Sequence, residues 1–412
     1  MPKRILAINP GSTSTKIAVF ADEKPIFSHT FSHTPAELST FKEVNDQFEW
    51  RLDMILKELR NNGFDIKNLD AVIGRGGLLR PVESGVYPVN DAMVHDLRFA
   101  ERKHASNLGG LLARHIGDKA GIPSYIADPV VVDEMIPYAR ISGLPEIPRI
   151  SIFHALNQKA VARRYAKEKG MRYEDMNLVV CHMGGGITVS AHRGGKVIDT
   201  SNGLDGEGPM APERSGTLNA SQLVELCFSG KYTQTELLAK VHGKGGLVAH
   251  LGTTSIPEIL ERVDRGDLHA MLIIRAMCYS IAKEIGAMST ALCGHVDAIL
   301  ITGGIAHSKR ITDYIAGHCS FIAPILVYPG EDELLALAQN ALAVLNGEME
   351  TKIYESELPD DPAKINDTSI PSKLREWLSN ARFSNFSSKE KLSAMRQYLR
   401  SWRRPFRGHN YD

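Results

Sequence analysis

The sequence predicts an α/β protein of two lobes made by internal duplication, with mixed sheets flanked by helices and a C-terminal extension. Three observations lead there. At 412 residues the chain exceeds what one ordinary core accommodates, so two domains are expected. The order strand, glycine turn, strand, tight turn, strand occurs twice, once from Ile5 and again from Leu178. After about Glu357 the composition shifts to scattered Pro, Ser and Asn, with eleven Lys/Arg against six Asp/Glu.

Each element follows from local pattern. Alternating apolar and β-branched residues mark Ile5 to Ile8 and Thr15 to Phe20 as strands joined by PGSTS, with a third strand near Pro25 to Ser32. Helical spacing fits Phe41 to Arg60, which stops at Asn61-Asn62-Gly63. Ala71 to Ile73 and Ser124 to Ala127 read as buried strands, and Asp91 to Ile116 contains a helix. The Pro-rich run GLPEIPR near Pro148 suggests a boundary. A helix over Ile152 to Glu168 opens the second half. Strands follow at Leu178 to His182, Ile187 to His192 and Lys196 to Thr200, joined by MGGG and RGG turns. Then come a helix over Met271 to Leu292, a strand over Ala298 to Thr302 and a short helix after His307. A strand over Pro324 to Tyr328 and a helix over Glu333 to Asn346 complete the pattern. The lobes are expected at residues 1–150 and 151–332, with the helix at 333–347 returning to the first. The basic extension at 358–412 reads as a solvated tail in which Ser388 to Trp402 could form an amphipathic helix.

Composition narrows the function classes. A formal net charge of zero gives no long-range attraction to nucleic acid or membrane. No stretch approaches the ~20 continuous apolar residues of a membrane span, and MPKRILAINPG runs from two basic residues directly into a strand, unlike a signal peptide. The five cysteines, Cys181, Cys227, Cys278, Cys293 and Cys319, are odd in number and contain no CxxC pair. They read as small buried hydrophobes in a reducing compartment, so a cytoplasmic protein is expected.

The chemistry-bearing residues sit in turns after strands. In NPGSTSTK, Asn9 to Lys16, Gly11 relieves steric limits and lets backbone N–H groups face an anion. Ser12, Ser14 and Thr15 add donors, Lys16 a charge and Asn9 a neutral oxygen ligand. No GxxxxGK[ST] occurs, so this is not a Walker loop, and no GxGxxG marks a strand-to-helix turn as a dehydrogenase would require. HMGGG places His182 at a strand end before Gly184, Gly185 and Gly186. ITGGIA places Gly303 and Gly304 before a helix, where donors suit an anion or a nucleotide. Arg75, followed by two glycines, and Arg214, in APERSG, sit in turn-like contexts where a guanidinium can grip phosphate. Asp128 ends the strand YIAD before Pro129; such an acid commonly points into a cleft. There it could position a substrate, hold a metal through water or act as a base, or it could simply cap the turn. Glu333 opens the last helix, where the dipole alone also favours an acid.

Taken in order, NPGSTSTK, VVCHMGGG, DTSNG, PERSG and ITGGIA resemble the acetate and butyrate kinase family, over about Met1 to Glu357. GRGGLL, HASNLG and ADPVVVDEM resemble its butyrate branch. The acetate branch typically has TRSG for PERSG and FHGTSH for FHALNQ. The resemblance implies a ribonuclease H-like, actin-like two-lobed fold, ATP/ADP and Mg²⁺, and a short-chain fatty acid as phosphoryl acceptor. It implies that Asn9 and Glu333 hold the metal, with Glu331 and Asp332 as alternatives in the altered run PGEDELL. Ser12, Ser14 and Lys16 match the phosphate hairpin, and Gly303 and Gly304 the adenosine side. Arg75 and Arg214 match the arginines gripping carboxylate and transferred phosphoryl, Asp128 the cleft aspartate and His182 a phosphate-stabilising histidine. His154 and His104 match cleft histidines, and Phe153 lies beside the acyl site. A homo-oligomer is implied. Two rivals remain, another short acid (acetate, propionate or a branched acid) and a non-catalytic ATP-binding member of the fold. The pairing of Arg75 with Arg214, which nucleotide binding alone does not need, speaks against the second.

Overall fold

The structure is a computed structural model that describes residues 2–100 and 102–354. The expected tail helix from Ser388 to Trp402 lies outside the described residues. Within them, residues 2–135 and 150–354 form one compact unit and residues 136–149 fall outside it. That segment carries a 3-10 turn at Pro137–Arg140 and is closed on itself by Arg149, whose N–H donates to the Arg140 carbonyl at 2.9 Å.

The first lobe begins with an antiparallel meander of β1 (Arg4–Pro10), β2 (Ser14–Ala21) and β3 (Lys24–Ser32). It continues through α1 (Pro35–Leu38), α2 (Phe48–Asn61), β4 (Ala71–Arg75), β5 (Val86–Pro88), α3 (Asp91–Phe99), α4 (Asn107–Ala120) and β6 (Ser124–Ala127). Helix α5 (Ala155–Glu168) leads to the second meander, β7 (Asn177–Met183), β8 (Ile187–Arg193) and β9 (Lys196–Thr200). Five helices follow: α6 (Ala220–Cys227), α7 (Gln234–His242), α8 (Leu247–Leu251), α9 (Ile256–Asp264) and α10 (Leu268–Ala291). The chain closes through β10 (Ala298–Gly303), α11 (Lys309–Cys319), β11 (Ile325–Pro329) and α12 (Glu333–Leu345).

The duplication is explicit in the sheets. The first runs β3-β2-β1-β4-β6-β5 and the second β11-β10-β7-β8-β9. Without edge strand β5, both consist of a three-strand meander whose first strand pairs in parallel with a fourth, which pairs in parallel with a fifth. Even the register shifts correspond, between Val19 and Phe20 in one meander and between Ala191 and His192 in the other. Low identity between the copies hides this, because a pleated core constrains side-chain size and alternation more than residue identity.

Period-2 alternation gives the first sheet two apolar faces. Leu6, Ile8, Ile17 and Val19 pack against Leu52 and Ile55 of α2 and Leu108 and Leu112 of α4. Ile5, Ala7, Ala18 and Ile73 pack on the opposite side against Leu337, Ala338 and Ala341 of α12 and Leu156 of α5. So α12, although it follows β11, returns to the first sheet. On the second sheet, Leu178, Val180 and Leu300 meet Val161, Ala162 and Tyr165 of α5.

Helix α4 approaches β4 backbone to backbone. A Cβ on Gly74 would lie 2.0 Å from the Gly109 carbonyl oxygen, and one on Gly109 would lie 2.3 Å from that of Arg75. Glycine is therefore required on both sides. The glycines around Arg75 allow close approaches of backbone: a Cβ on Gly77 would lie 2.5 Å from the Asn107 Cα and one on Gly76 2.6 Å from the Pro129 Cβ.

Several boundaries differ from expectation. The helix expected from Phe41 starts at Phe48, behind a 3-10 turn at Val44–Gln47. The span Asp91 to Ile116 holds two helices, and α5 begins at Ala155 rather than Ile152. The helices α6 to α9, of only 5 to 9 residues each, were not expected from the sequence. No helix among the described residues is long and apolar enough to cross a membrane. Cys181, Cys278 and Cys319 are buried as expected, but Cys227 and Cys293 are exposed.

Candidate active site

The carboxyl ends of β1 and β4, the MGGG turn and the start of α12 converge on one set of charged side chains. At the hairpin between β1 and β2, Gly11 N–H donates to the Ser14 carbonyl at 2.7 Å. The side chain of Ser12 is exposed, Ser14 is half-buried and Lys16 is exposed on β2. Thr15, expected to face an anion, turns inward: its hydroxyl takes His33 Nε2 at 2.8 Å and Arg51 at 2.7 Å. Gly11 needs no unusual conformation, and a Cβ there would make only ordinary contact at 3.5 Å. The opening of this turn comes from Arg51, which the sequence reading missed.

Beside the hairpin, Glu333 is buried at the first residue of α12, where the helix dipole favours its charge. Its Oε2 accepts from Asn9 Nδ2 at 2.5 Å and from Arg75 at 2.8 Å. Glu331 goes elsewhere: its Oε1 meets His182 Nε2 at 3.2 Å. That hydrogen bond, with the charges of His182, Arg75 and Lys16, outweighs desolvation and holds the Glu331 carboxyl down at about 2. Asp332 is exposed and forms no side-chain cap. The three acids of PGEDELL thus have distinct places.

On the second lobe His182 is buried, with Nδ1 2.8 Å from Asn157 Oδ1. Its ring stacks on His154 at 3.8 Å between centroids and 13° between planes. His154 is held by Thr188 Oγ1 at 2.9 Å, and Thr188 in turn by Gln158 at 2.9 Å. Burial, then the neighbouring His182, Arg214 and Arg75, push the His154 imidazole well below its usual range and keep it neutral. His104, bonded to Ser106 Oγ at 2.8 Å, is lowered by burial and by Arg75, Arg214 and Arg51. Both histidines therefore feel Arg75 and Arg214 together, although the arginines come from different lobes.

Arg214 lies on the MGGG turn. A Cβ on Gly186 would fall 1.8 Å from its Nη1, and one on Gly184 would fall 2.9 Å from Glu331 Oε1. The glycine run is thus the floor under both side chains, with Gly185 beside Glu213. Arg214 donates to the Gly203 carbonyl, while its buried Nε has no partner among the described residues. A buried guanidinium donor without an acceptor is costly and marks a place for an anion. Gly303 adopts φ +92°, and a Cβ there would strike the Met183 carbonyl at 2.3 Å, so only glycine fits; Gly304 faces open space.

Asp128, at the end of β6, is buried. Its carboxylate is wholly enclosed, accepting from Ser84 Oγ at 2.6 Å, Gly85 N–H at 2.9 Å and Arg163 of α5 at 3.1 Å. The residue is strained, at φ +38°. These contacts tie the first sheet to α5. Phe153 is packed with Val132, Ala155 and Val197.

A relative from Clostridium acetobutylicum, butyrate kinase 2, is 55% identical over 356 residues, covering 86% of this chain and 100% of that protein. The chain belongs to the acetokinase family. The family model itself matches residues 147–322. A probable butyrate kinase of Bacteroides thetaiotaomicron is 53% identical over 353 residues, covering 85% of this chain and all of that protein. Among solved structures, Porphyromonas gingivalis acetate kinase superposes with a TM-score of 0.70 at 19% identity, over 83% of this chain and 100% of that one. A Francisella tularensis propionate kinase gives 0.67 at 19%, over 82% and 98%. The expected two-lobed kinase fold is thereby established.

Proposed function

We propose that the chain transfers a phosphoryl group from ATP to butyrate, reversibly, forming ADP and butyryl phosphate. The observation that carries this reading is geometric: Arg75 lies 2.8 Å from Glu333, while Arg214, its buried Nε unpartnered among the described residues, lies against Gly186 of the turn that follows His182. A carboxylate needs no general base to attack, so the obstacle is bringing two anions together; cations and alignment supply the catalysis. Arg75 holds the butyrate carboxylate. Arg214, with its unpartnered Nε, and His182 take the equatorial oxygens of the transferred group. The hairpin at Ser12, Ser14 and Lys16 holds the ATP phosphates, and Gly304 leaves room for adenosine. Glu333 lies 2.8 Å from Arg75 and Glu331 3.2 Å from His182, so both acids border the place assigned to the substrate oxygens.

Asn9 and Glu333 fit Mg²⁺, which takes one or two carboxylates plus substrate phosphates; a cluster of three protein acids or histidines is absent among the described residues. Bound there, the ion would neutralise charge on the phosphates. Direct in-line transfer is the reading we adopt over a covalent phospho-glutamate, since the acceptor carboxylate needs no base or enzyme nucleophile and Glu333 is assigned to the metal. We place the enzyme in the cytoplasm as a homo-oligomer. Exposed Leu268, Leu272 and Tyr279 on one face of α10 support self-association, which sedimentation would test. For the activity itself, ATP, Mg²⁺ and butyrate are incubated with hydroxylamine; butyryl hydroxamate is expected. ADP release without hydroxamate would leave only a nucleotide-binding protein.

A further inference from the structure

Arg51 of α2 is wholly buried, yet no acid faces it. Its Nη1 donates to the carbonyl oxygens of Gly11 at 3.0 Å and Ser14 at 3.2 Å and to Thr15 Oγ1 at 2.7 Å. Its Nε and Nη2 both donate to Gln47 Oε1, at 3.1 and 2.8 Å. Every acceptor is neutral. Desolvation lowers the guanidinium to about 10, so the group stays charged at neutral pH with its charge uncompensated by the protein. A buried cation without a counter-ion is costly, and such groups persist where something offsets them.

The hairpin geometry indicates what does. In a trans peptide the C=O and the following N–H point in opposite directions, and the described chain has no cis bonds. Drawing the Gly11 carbonyl inward to Arg51 therefore turns the Ser12 N–H outward. Ser12 and Thr13 are exposed, and neither N–H has a partner among the described residues. The inner side of the hairpin thus carries a fixed positive charge and the outer side free donors. Both favour an anion at the same place.

We propose that Arg51 is a positioning residue for the nucleotide: it fixes the hairpin with its amides outward, and the phosphates bound there balance its charge. This rests on the reading that the hairpin holds the ATP phosphates. Arg51 touches no substrate atom. Its loss should weaken ATP and ADP and leave butyrate unaffected, because the butyrate carboxylate is assigned to Arg75.

The test compares Arg51→Gln, Arg51→Lys and Lys16→Ala in the full chain, by calorimetric ADP binding, steady-state kinetics and thermal melting. Arg51→Gln should raise the ADP Kd and the ATP KM at least tenfold while the butyrate KM stays within twofold. Arg51→Lys keeps the charge but has three donors where Arg51 serves four acceptors, Gly11 and Ser14 carbonyls, Thr15 Oγ1 and Gln47 Oε1, so its ADP Kd should rise three- to tenfold. A purely structural role would lower the melting temperature without this split between the two KM values, and that outcome overturns the proposal. If Arg51→Gln does not fold, unchanged ADP binding in Arg51→Lys overturns it equally. Lys16→Ala separates the two readings. If it weakens ADP while the Arg51 variants do not, only the role of Arg51 falls; if it is silent, the hairpin reading falls and takes the proposal with it.

Discussion

Gly186→Ala tests the placement of Arg214 without touching Arg214. Gly186 does not occupy the left-handed region, so alanine imposes no backbone penalty there. Its Cβ would nevertheless lie 1.8 Å from Arg214 Nη1 and 2.5 Å from Cζ, inside van der Waals contact. The atom that must yield is the far end of a flexible side chain, so the guanidinium moves and the fold survives. Losing one positioned donor to developing charge costs about 10²–10³ in kcat, or about 2.7–4 kcal/mol of activation free energy. Gly74→Ala provides the contrast. Its Cβ meets the Gly109 carbonyl at 2.0 Å, where backbone must move, so it should lower stability by about 1–3 kcal/mol or more. The assay is hydroxamate formation at saturating ATP and butyrate, with urea denaturation of each variant. Gly186→Ala should melt near the wild type with kcat down at least a hundredfold. Near-normal turnover would mean that Arg214 does not act from where the structure puts it.

Further expectations follow from the same contacts. Arg75→Ala should raise the butyrate KM and lower kcat/KM by roughly a hundredfold or more, and normal kinetics would remove it from the mechanism. Lys159→Met leaves Glu134, 2.6 Å from the buried ammonium, without its partner, and should cost about 3–5 kcal/mol in urea unfolding. The Glu331 carboxyl is depressed to about 2, so its contribution to stability is present above the ordinary carboxyl range near 4.5 and is lost as pH falls towards 2. Glu331→Gln should therefore be less sensitive than the wild type to acid over that window, and parallel acid-unfolding curves would contradict the Glu331–His182 contact.

The duplication was legible because each copy repeats strand, glycine turn and strand, and the sheet orders match strand for strand. Arg75 and His182 stood out in the sequence because each lies at a strand end before glycines, and Arg214 because APERSG is turn-like, where a helix-face reading fails. Arg51 was not: one arginine in an amphipathic helix carries no sign that it points inward, and only the fold brings residue 51 beneath residues 11 to 15. The enclosure of Asp128 was not legible either. A strand-end acid before proline suits a cleft, but Arg163 from a helix 35 residues away closes over it. The GRGG glycines, read only as a turn-like setting for Arg75, also let α4 come within touching distance of β4.

The central claim concerns which acid accepts the phosphoryl group. One methylene in an apolar pocket discriminates by about 1–3 kcal/mol, or 10–200-fold. With ATP and Mg²⁺ held constant, kcat/KM should be measured for acetate, propionate, butyrate, valerate and isobutyrate. The account predicts a maximum at butyrate, with propionate and valerate lower and acetate lowest of the straight acids. A maximum at acetate, or no acyl phosphate from any acid, would contradict it.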